Sequence, residues 1–224
     1  MAASKKNLQT KSKSNRILLL RWKKEFRQIE NIFSDALETH RYIEDFVNFF
    51  EHKQLNQPEL LYVQHYLLTQ YHFIILQLGK LIDSDNRALS LKLLLSDISK
   101  HSHDFPISIL DHEKKPWAYK EEFILRYVLS CGINPKSVDQ DIETLNKTLE
   151  KIKRFRNKHV AHAQKKKINI AISRKELGLI IASVEVQLKT YNLLLNQAGI
   201  ESYLPLQILG WESILNPEKR GSNL

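Results

Sequence analysis

The sequence contains few of the residues that mark secreted, repetitive or membrane-spanning proteins. Among 224 residues there is one cysteine, Cys131, so no internal disulfide can form and we expect a reducing, cytoplasmic environment. Six glycines and six prolines, with no visible short repeat, favour a compact helical protein. The apolar run at residues 17–20 is too short for a signal peptide or a membrane span, so we expect neither secretion nor a membrane partner.

Acidic residues are absent from the start of the chain. The net charge is +9, from 34 basic and 25 acidic residues, and no acidic residue precedes Glu25. We therefore predict that residues 1–15 form a flexible basic tail, which would raise the affinity for a polyanion in a salt-dependent way. The alternative is that this tail serves only solubility.

Apolar residues recur at the spacing of one helical face along much of the chain. Two such stripes predict two helices at the start, the first through Leu18, Leu19, Trp22, Phe26, Ile29 and Phe33, the second through Leu37, His40, Ile43, Val47 and Phe50. Asn56 and Pro58 suit the start of a third helix at 58–83, which is apolar nearly all round and should be central. A turn at 83–86 and a short leucine-rich helix at about 91–98 follow.

The second half of the chain is predicted to hold three more helices. Residues 101–116 are interpreted as a loop, because they include two prolines and scattered polar residues. Residues 117–130 should be helical, and Ser137 with Gln140 and Ser173 with Glu176 fit capping boxes that open two further helices. These patterns predict an all-α bundle of about six to seven helices. They divide the chain into a basic tail at 1–15, a helical domain at 16–199 and a C-terminal extension at 200–224.

The helix that follows Ser137 carries a regular apolar seam. Its apolar residues recur in a 4-3-4-3 rhythm, at Val138, Ile142, Leu145, Leu149 and Ile152. Four residues further on lies Arg156, which the seam therefore directs inward, toward a neighbouring helix or a partner chain. Arg154 lies about 200° around the helix from Ile152. A guanidinium on a packing face is costly without an anionic partner, so Arg156 should have one.

The seam leads into a stretch rich in arginine and histidine, RFRNKHVAH at residues 154–162. Arginine can clamp a phosphate through paired hydrogen bonds, and histidine can accept or donate a proton near neutral pH. Arg156 and His162 have five residues between them, whereas Arg154 and His159 have four. We prefer the first pair, because Arg156 is in phase with the seam.

The letters R-N-K-H-V-A-H resemble the Arg-x(4-6)-His motif of HEPN domains (higher eukaryotes and prokaryotes nucleotide-binding), in which a polar residue often follows the arginine, as Asn157 does here. The segment at 75–95, ILQLGKLIDSDNRALSLKLLL, is similar to the abortive-infection AbiU-type branch of that family. The resemblance covers roughly residues 20 to 198.

The resemblance implies a metal-independent endoribonuclease without a cofactor, commonly a homodimer whose two motifs line one cleft. In many cases such a protein is a toxin or phage-defence factor, with a nucleotidyltransferase-type antitoxin as a further partner. The implied catalytic residues are Arg156, Asn157 and His162, and the second choices are Arg154, His159 and Asp83. The residues implied to bind RNA are Lys158, Lys165, Lys166 and Lys167.

Other interpretations of the same residues stay open. Arg156 could pair with Asp83 or with carbonyl groups at a helix end, and His162 could cap the same helix, both in purely structural roles. Three histidines and an aspartate share one loop, but they match no closed zinc pattern, so we expect no metal site; they are His101, His103, Asp104 and His112. The second class of function is a non-catalytic helical module that binds a protein, a nucleotide or a nucleic acid.

Overall fold

The computed structural model describes residues 2–104, 121–129, 132–160, 172–196 and Tyr203, without the side chains of residues 2–14, 104, 121, 122, 159 and 160. The described part contains six α-helices: α1 (Ala2–Phe50), α2 (Gln57–Lys80), α3 (Leu91–Lys100), α4 (Glu121–Tyr127), α5 (Pro135–Phe155) and α6 (Arg174–Asn196). A 3-10 turn spans Ser102–Asp104, and a π-helical turn spans Arg156–Val160. The predicted all-α fold is confirmed. Among the described helices, none is both long and apolar enough to cross a bilayer.

The first helix is one continuous element, so the prediction of two helices before residue 51 was wrong. No glycine or proline occurs before Pro58, and nothing in this stretch interrupts the helical hydrogen bonds. The two apolar stripes are therefore a single face, which buries Trp22, Phe26, Phe33 and Ile43. The backbone of α1 is helical from Ala2 onward, through the residues predicted as a basic tail.

The start of α2 is as predicted. The Asn56 side-chain oxygen accepts a hydrogen bond from the Glu59 backbone N–H at 3.0 Å, and the Glu59 carboxylate accepts one from the Asn56 N–H at 2.9 Å. Pro58 lies in the first turn. The expectation that α2 is central was wrong for most of its length, because its buried residues all lie near its end: Ile74, Ile75, Gln77, Leu78 and Gly79.

The seam of α5 lies in the core, as predicted. Val138, Leu145, Leu149 and Ile152 are fully buried, and Ile142 packs against the same cluster. Helix α5 contacts α2, α3 and α6 of its own chain. The seam is therefore occupied within one molecule.

The starts of α5 and α6 correct the predicted capping boxes. Asn134 caps α5 by accepting from the Lys136 N–H at 3.2 Å, whereas the Ser137 hydroxyl donates to the Arg126 carbonyl at 2.6 Å. The Ser137–Gln140 box was therefore wrong. At α6, Ser173 accepts from the Glu176 N–H at 3.2 Å, but the Glu176 carboxylate accepts from Lys151 at 2.8 Å.

The helix predicted at 117–130 ends earlier than expected in the structure. Within the described residues α4 ends at Tyr127, and β1 (Val128–Leu129) pairs antiparallel with β2 (Gly132–Ile133). Gly132 has φ +154°, and a Cβ at this position would lie 2.2 Å from the Ser102 carbonyl oxygen. The close approach of these two backbones therefore requires glycine. Residues 105–120 and Cys131 lie outside the described part.

A buried carboxylate fixes α5 against its neighbours. Asp141 accepts hydrogen bonds from the Tyr127 hydroxyl at 2.7 Å, the Tyr191 hydroxyl at 2.9 Å and the Arg126 guanidinium at 2.6 Å. Burial, together with this carboxylate, raises the pKa of both tyrosines. These contacts join α4, α5 and α6, and they stabilise the orientation of the helix that carries Arg156.

Candidate functional site

The site is built where α2 ends. The last carbonyl groups of a helix lack partners within that helix, and Gly79 provides one of them. Asp83 closes the turn: its N–H donates to the Lys80 carbonyl at 3.2 Å, and its carboxylate accepts from the Asp85 N–H at 3.1 Å. The Ser90 hydroxyl donates to the Asp83 carbonyl at 2.8 Å and so ties this turn to α3. The predicted turn at 83–86 is therefore present.

Arg156 extends from the end of α5 to this turn. Its Nη1 donates to the Gly79 carbonyl oxygen at 2.9 Å and lies 3.4 Å from Asp83 Oδ2. The side chain is 19% exposed, so the arginine faces inward as its phase with the seam predicted. The anionic partner that the sequence analysis required is Asp83, and the partial negative charge at the end of α2 adds to it.

Gly79 makes this approach possible. A Cβ at position 79 would lie 2.7 Å from Arg156 Cδ and 3.3 Å from its Nη1. The first distance is shorter than real Cβ contacts, so any larger residue here would displace the arginine. Sequence reasoning gave Gly79 no role. The available signal was a glycine inside an otherwise apolar helix, which often indicates close packing.

Asn157 lies beside the guanidinium on the solvent side. Its side chain is exposed, and its Oδ1 accepts a hydrogen bond from Arg156 Nε at 3.2 Å. Arg156 thus uses Nε and Nη1 to bind the protein. Within the described part of the chain, Nη2 has no hydrogen-bond partner for its two N–H groups.

A π-helical turn, Arg156–Val160, replaces the regular α-helix immediately after α5. Such turns are rare and occur frequently at functional sites, because they change the spacing of the side chains that follow. The regular α-helical spacing of side chains therefore does not apply within residues 156–160. His162 itself lies outside the described residues.

The alternative arginine faces away from this site. Arg154 is 64% exposed and pairs with Glu150 one turn earlier on α5. Lys158, predicted to bind RNA, is half-buried on the π-helical turn. The ring of His72 on α2 lies 6.0 Å from that of Phe155, which makes it a second histidine close to this end of α5. The His159 side chain and the predicted RNA-binding residues Lys165, Lys166 and Lys167 lie outside the described part.

The loop histidines make other contacts. His101 Nδ1 lies 3.0 Å from the Asp97 carbonyl oxygen, and its ring lies 6.4 Å from Trp22. His112 and the side chain of Asp104 are not among the described residues. Where the side chains are described, no three histidine, cysteine or acidic residues cluster closely enough to hold a metal ion.

The helical body of the described residues is consistent with an HEPN-like fold. The family model for AbiU2, of the HEPN class, matches residues 22–207. The match covers most of the chain, which therefore belongs to this family. No curated protein and no solved structure gives a significant match.

The family match reaches beyond the helical body. It includes Tyr203, in the segment predicted as a C-terminal extension. The Tyr203 hydroxyl donates to Glu30 at 2.9 Å, and its carbonyl accepts from the Ser34 hydroxyl at 3.0 Å. Its ring packs edge-on against Phe33 at 5.7 Å. Tyr203 is thus anchored along α1, on the helix that forms much of the core.

Proposed function

We propose that the protein is a metal-independent endoribonuclease that acts in the cytoplasm as a toxin or phage-defence factor in abortive infection. Membership of the HEPN family supports this proposal, because many HEPN domains are ribonucleases. The observation that carries it is the state of Arg156. Two of its nitrogens are held by Gly79, Asp83 and Asn157, and the third, Nη2, has no hydrogen-bond partner among the described residues.

The proposed reaction uses the ribose 2'-hydroxyl of RNA as the nucleophile. The 2'-oxygen bonds to phosphorus while the bond to the 5'-oxygen breaks, leaving a 2',3'-cyclic phosphate and a 5'-hydroxyl. His162 transfers protons in this reaction, and Arg156 stabilises the negative charge on the pentacoordinate phosphate. Asn157 orients Arg156 through its Oδ1, and Lys158, Lys165, Lys166 and Lys167 attract the RNA backbone.

A homodimer with both motifs lining one cleft forms part of the proposal, as does a nucleotidyltransferase-type antitoxin. The seam of α5 cannot supply the interface between copies, because helices of the same chain cover it. A different surface must therefore join the two copies.

The central experiment is to incubate the purified protein with RNA in the presence of a chelator and to analyse the cut ends. We expect 2',3'-cyclic phosphate and 5'-hydroxyl ends, and no cleavage of RNA whose 2'-hydroxyls are methylated. His162→Ala should slow cleavage by about 10² to 10⁴-fold, which is the usual contribution of proton transfer. Arg156→Ala should have a similar effect and should also weaken RNA binding.

Arg154→Ala is the matched control, because Arg154 lies two residues away and faces solvent. It should cleave RNA at close to the wild-type rate, and His159→Ala should be milder than His162→Ala. If the variants of Arg154 and His159 are inactive while those of Arg156 and His162 are active, the assignment of the site is wrong.

The contacts of Arg156 also favour a second candidate, a non-catalytic binding module. An arginine that only capped α2 would make the same bonds to the Gly79 carbonyl and to Asp83. On this hypothesis the wild type leaves RNA intact. Arg156→Ala would then lower the melting temperature without changing any cleavage, whereas Arg154→Ala would change neither.

A further inference from the structure

A polar cleft of about 550 Å³ lies beside the turn at 83–86, between α1 and the start of α3. One wall is a face of α1, whose lining side chains recur at spacings of three and four residues: Arg21, Lys24, Glu25 and Gln28. The opposite wall is formed by residues between 86 and 97. We call this the α1–α3 cleft. Three basic and two acidic side chains line it, so its net charge is +1.

One arginine engages both acidic side chains of the α1–α3 cleft. Arg21 binds the Asp97 carboxylate through Nη2, and its Nε lies 3.7 Å from Glu25. The Trp22 indole N–H also donates to the Asp97 carboxylate, at 2.6 Å. The negative charge inside the cleft is therefore matched by Arg21, and the other two basic residues are left to be accounted for.

Those two basic residues, Lys24 and Arg87, pair with neither carboxylate of the cleft. Lys24 is exposed and forms no ion pair with another described residue. Arg87 binds Asp85, which does not line the cleft, through Nε at 3.1 Å and Nη2 at 2.8 Å. Among the described residues its Nη1 has no hydrogen-bond partner. The excess positive charge of the cleft thus resides on one side chain from each wall.

A single turn connects the α1–α3 cleft to Arg156. Asp83 lies 3.4 Å from Arg156 Nη1 through its Oδ2 and accepts from the Asp85 N–H at 3.1 Å through its Oδ1. Asp85 in turn binds Arg87. Two neighbouring carboxylates therefore hold two guanidinium groups on the same turn, one at the proposed catalytic site and the other at the cleft.

We infer that the α1–α3 cleft binds a backbone phosphate of the RNA substrate that flanks the scissile phosphate, through Lys24 and Arg87. This inference deepens the proposed function and rests on it for the choice of RNA as the ligand. It also gives the strand a direction across the protein surface, from Arg156 over the turn at 83–86 toward α1.

The exposure of the cleft favours a strand of RNA over a small anion. The side chains of Arg21 and Arg87 are 50% and 90% exposed. Sites for small molecules bury most of the ligand surface, whereas a groove that follows a single strand binds its phosphates from one side. An open cleft with cations on both walls is therefore better suited to a phosphate within a chain.

RNA binding tests the inference without any cleavage. The probe is a single-stranded RNA oligonucleotide with methylated 2'-hydroxyls, and fluorescence anisotropy gives its dissociation constant at several salt concentrations. Lys24→Ala/Arg87→Ala should raise the dissociation constant about tenfold at low salt, as expected for the loss of two exposed ion pairs. The slope of log K against log salt concentration should fall in magnitude by about 0.7, the value for one phosphate of a single strand.

Lys53→Ala/Lys136→Ala is the matched control, because it removes the same charge from two exposed lysines that do not line the cleft. It should bind RNA like the wild type, and so should Lys24→Arg, which keeps the charge. Equal dissociation constants in the wild type and the cleft variant, equal losses in the cleft variant and the control, or a wild type that binds no RNA would each overturn the inference.

Substrates of two lengths separate the cleft from the site at Arg156. A dinucleoside monophosphate has one phosphate, which cannot occupy both places at once. The ratio of kcat/KM for a longer oligonucleotide to kcat/KM for this dinucleotide should therefore fall about tenfold in Lys24→Ala/Arg87→Ala. Arg156→Ala should instead lower both values.

The two assays distinguish failure of the inference from failure of the proposed function. An unchanged ratio in a protein that cleaves RNA would overturn the inference and leave the proposed function in place. A wild type that binds RNA through Lys24 and Arg87 but leaves it intact would overturn the proposed function and support the cleft as an RNA site.

Discussion

Replacing Gly79 by alanine should separate the stability of the protein from its proposed activity. The new Cβ would lie 2.7 Å from Arg156 Cδ, whereas an ordinary van der Waals contact lies between 3.4 and 4 Å. The side chain of Arg156 must therefore move by roughly 1 Å, since it is more flexible than the backbone of a packed helix. This movement would disturb the bond from Nη1 to the Gly79 carbonyl.

The expected effects on folding and on catalysis differ in size. Alanine in place of a helical glycine stabilises by up to about 1 kcal/mol, which offsets much of the roughly 1.5 kcal/mol of a hydrogen bond to a charged group. The free energy of unfolding should therefore change by less than about 1 kcal/mol. Misplacement of a catalytic group by about 1 Å can cost about 100-fold in rate, so RNA cleavage should fall by about that factor.

Gly178→Ala provides the matched control. A Cβ at this position would lie 3.6 Å from the His40 ring, which is an ordinary contact, so this variant should retain its cleavage rate. The measurements are single-turnover cleavage of RNA and thermal unfolding for both variants. A wild-type cleavage rate in Gly79→Ala would refute the reasoning, and so would a large loss of stability, because the backbone rather than Arg156 would then have moved.

Two further predictions concern folding. Asp141→Asn should lower the free energy of unfolding in urea by about 1.5 to 3 kcal/mol, because it removes the charge from a buried carboxylate that accepts three hydrogen bonds, whereas the exposed Asp139→Asn should change it by less than about 1 kcal/mol. Burial lowers the pKa of His40 below its ordinary 6.5, so the folded state binds this proton less readily than the unfolded state. The stability that neutral His40 contributes to the folded state is therefore fully present above pH 6.5, and it is lost as the pH falls below that value. Below pH 6.5 the melting temperature of His40→Gln should therefore depend less on pH than that of the wild type. An equal dependence in the two proteins would contradict the lowered pKa of His40.

The features that local spacing determines could be predicted from the sequence. The start of α2 depends on Asn56 and Glu59, three residues apart, and both capping bonds are present. The direction of Arg156 follows from Ile152, four residues earlier, and the arginine does face inward. Each of these outcomes depends on neighbours within one turn of a helix, so the periodicity of the letters is sufficient.

The features that depend on packing could not be predicted in this way. Gly79 and Arg156 are 77 residues apart, and they meet only because α2 packs against α5. Nothing in the spacing of either helix indicates this contact. The exposure of α2 has a similar origin: its apolar residues require burial, but the sequence pattern does not say whether another helix of the same chain or a second molecule covers them.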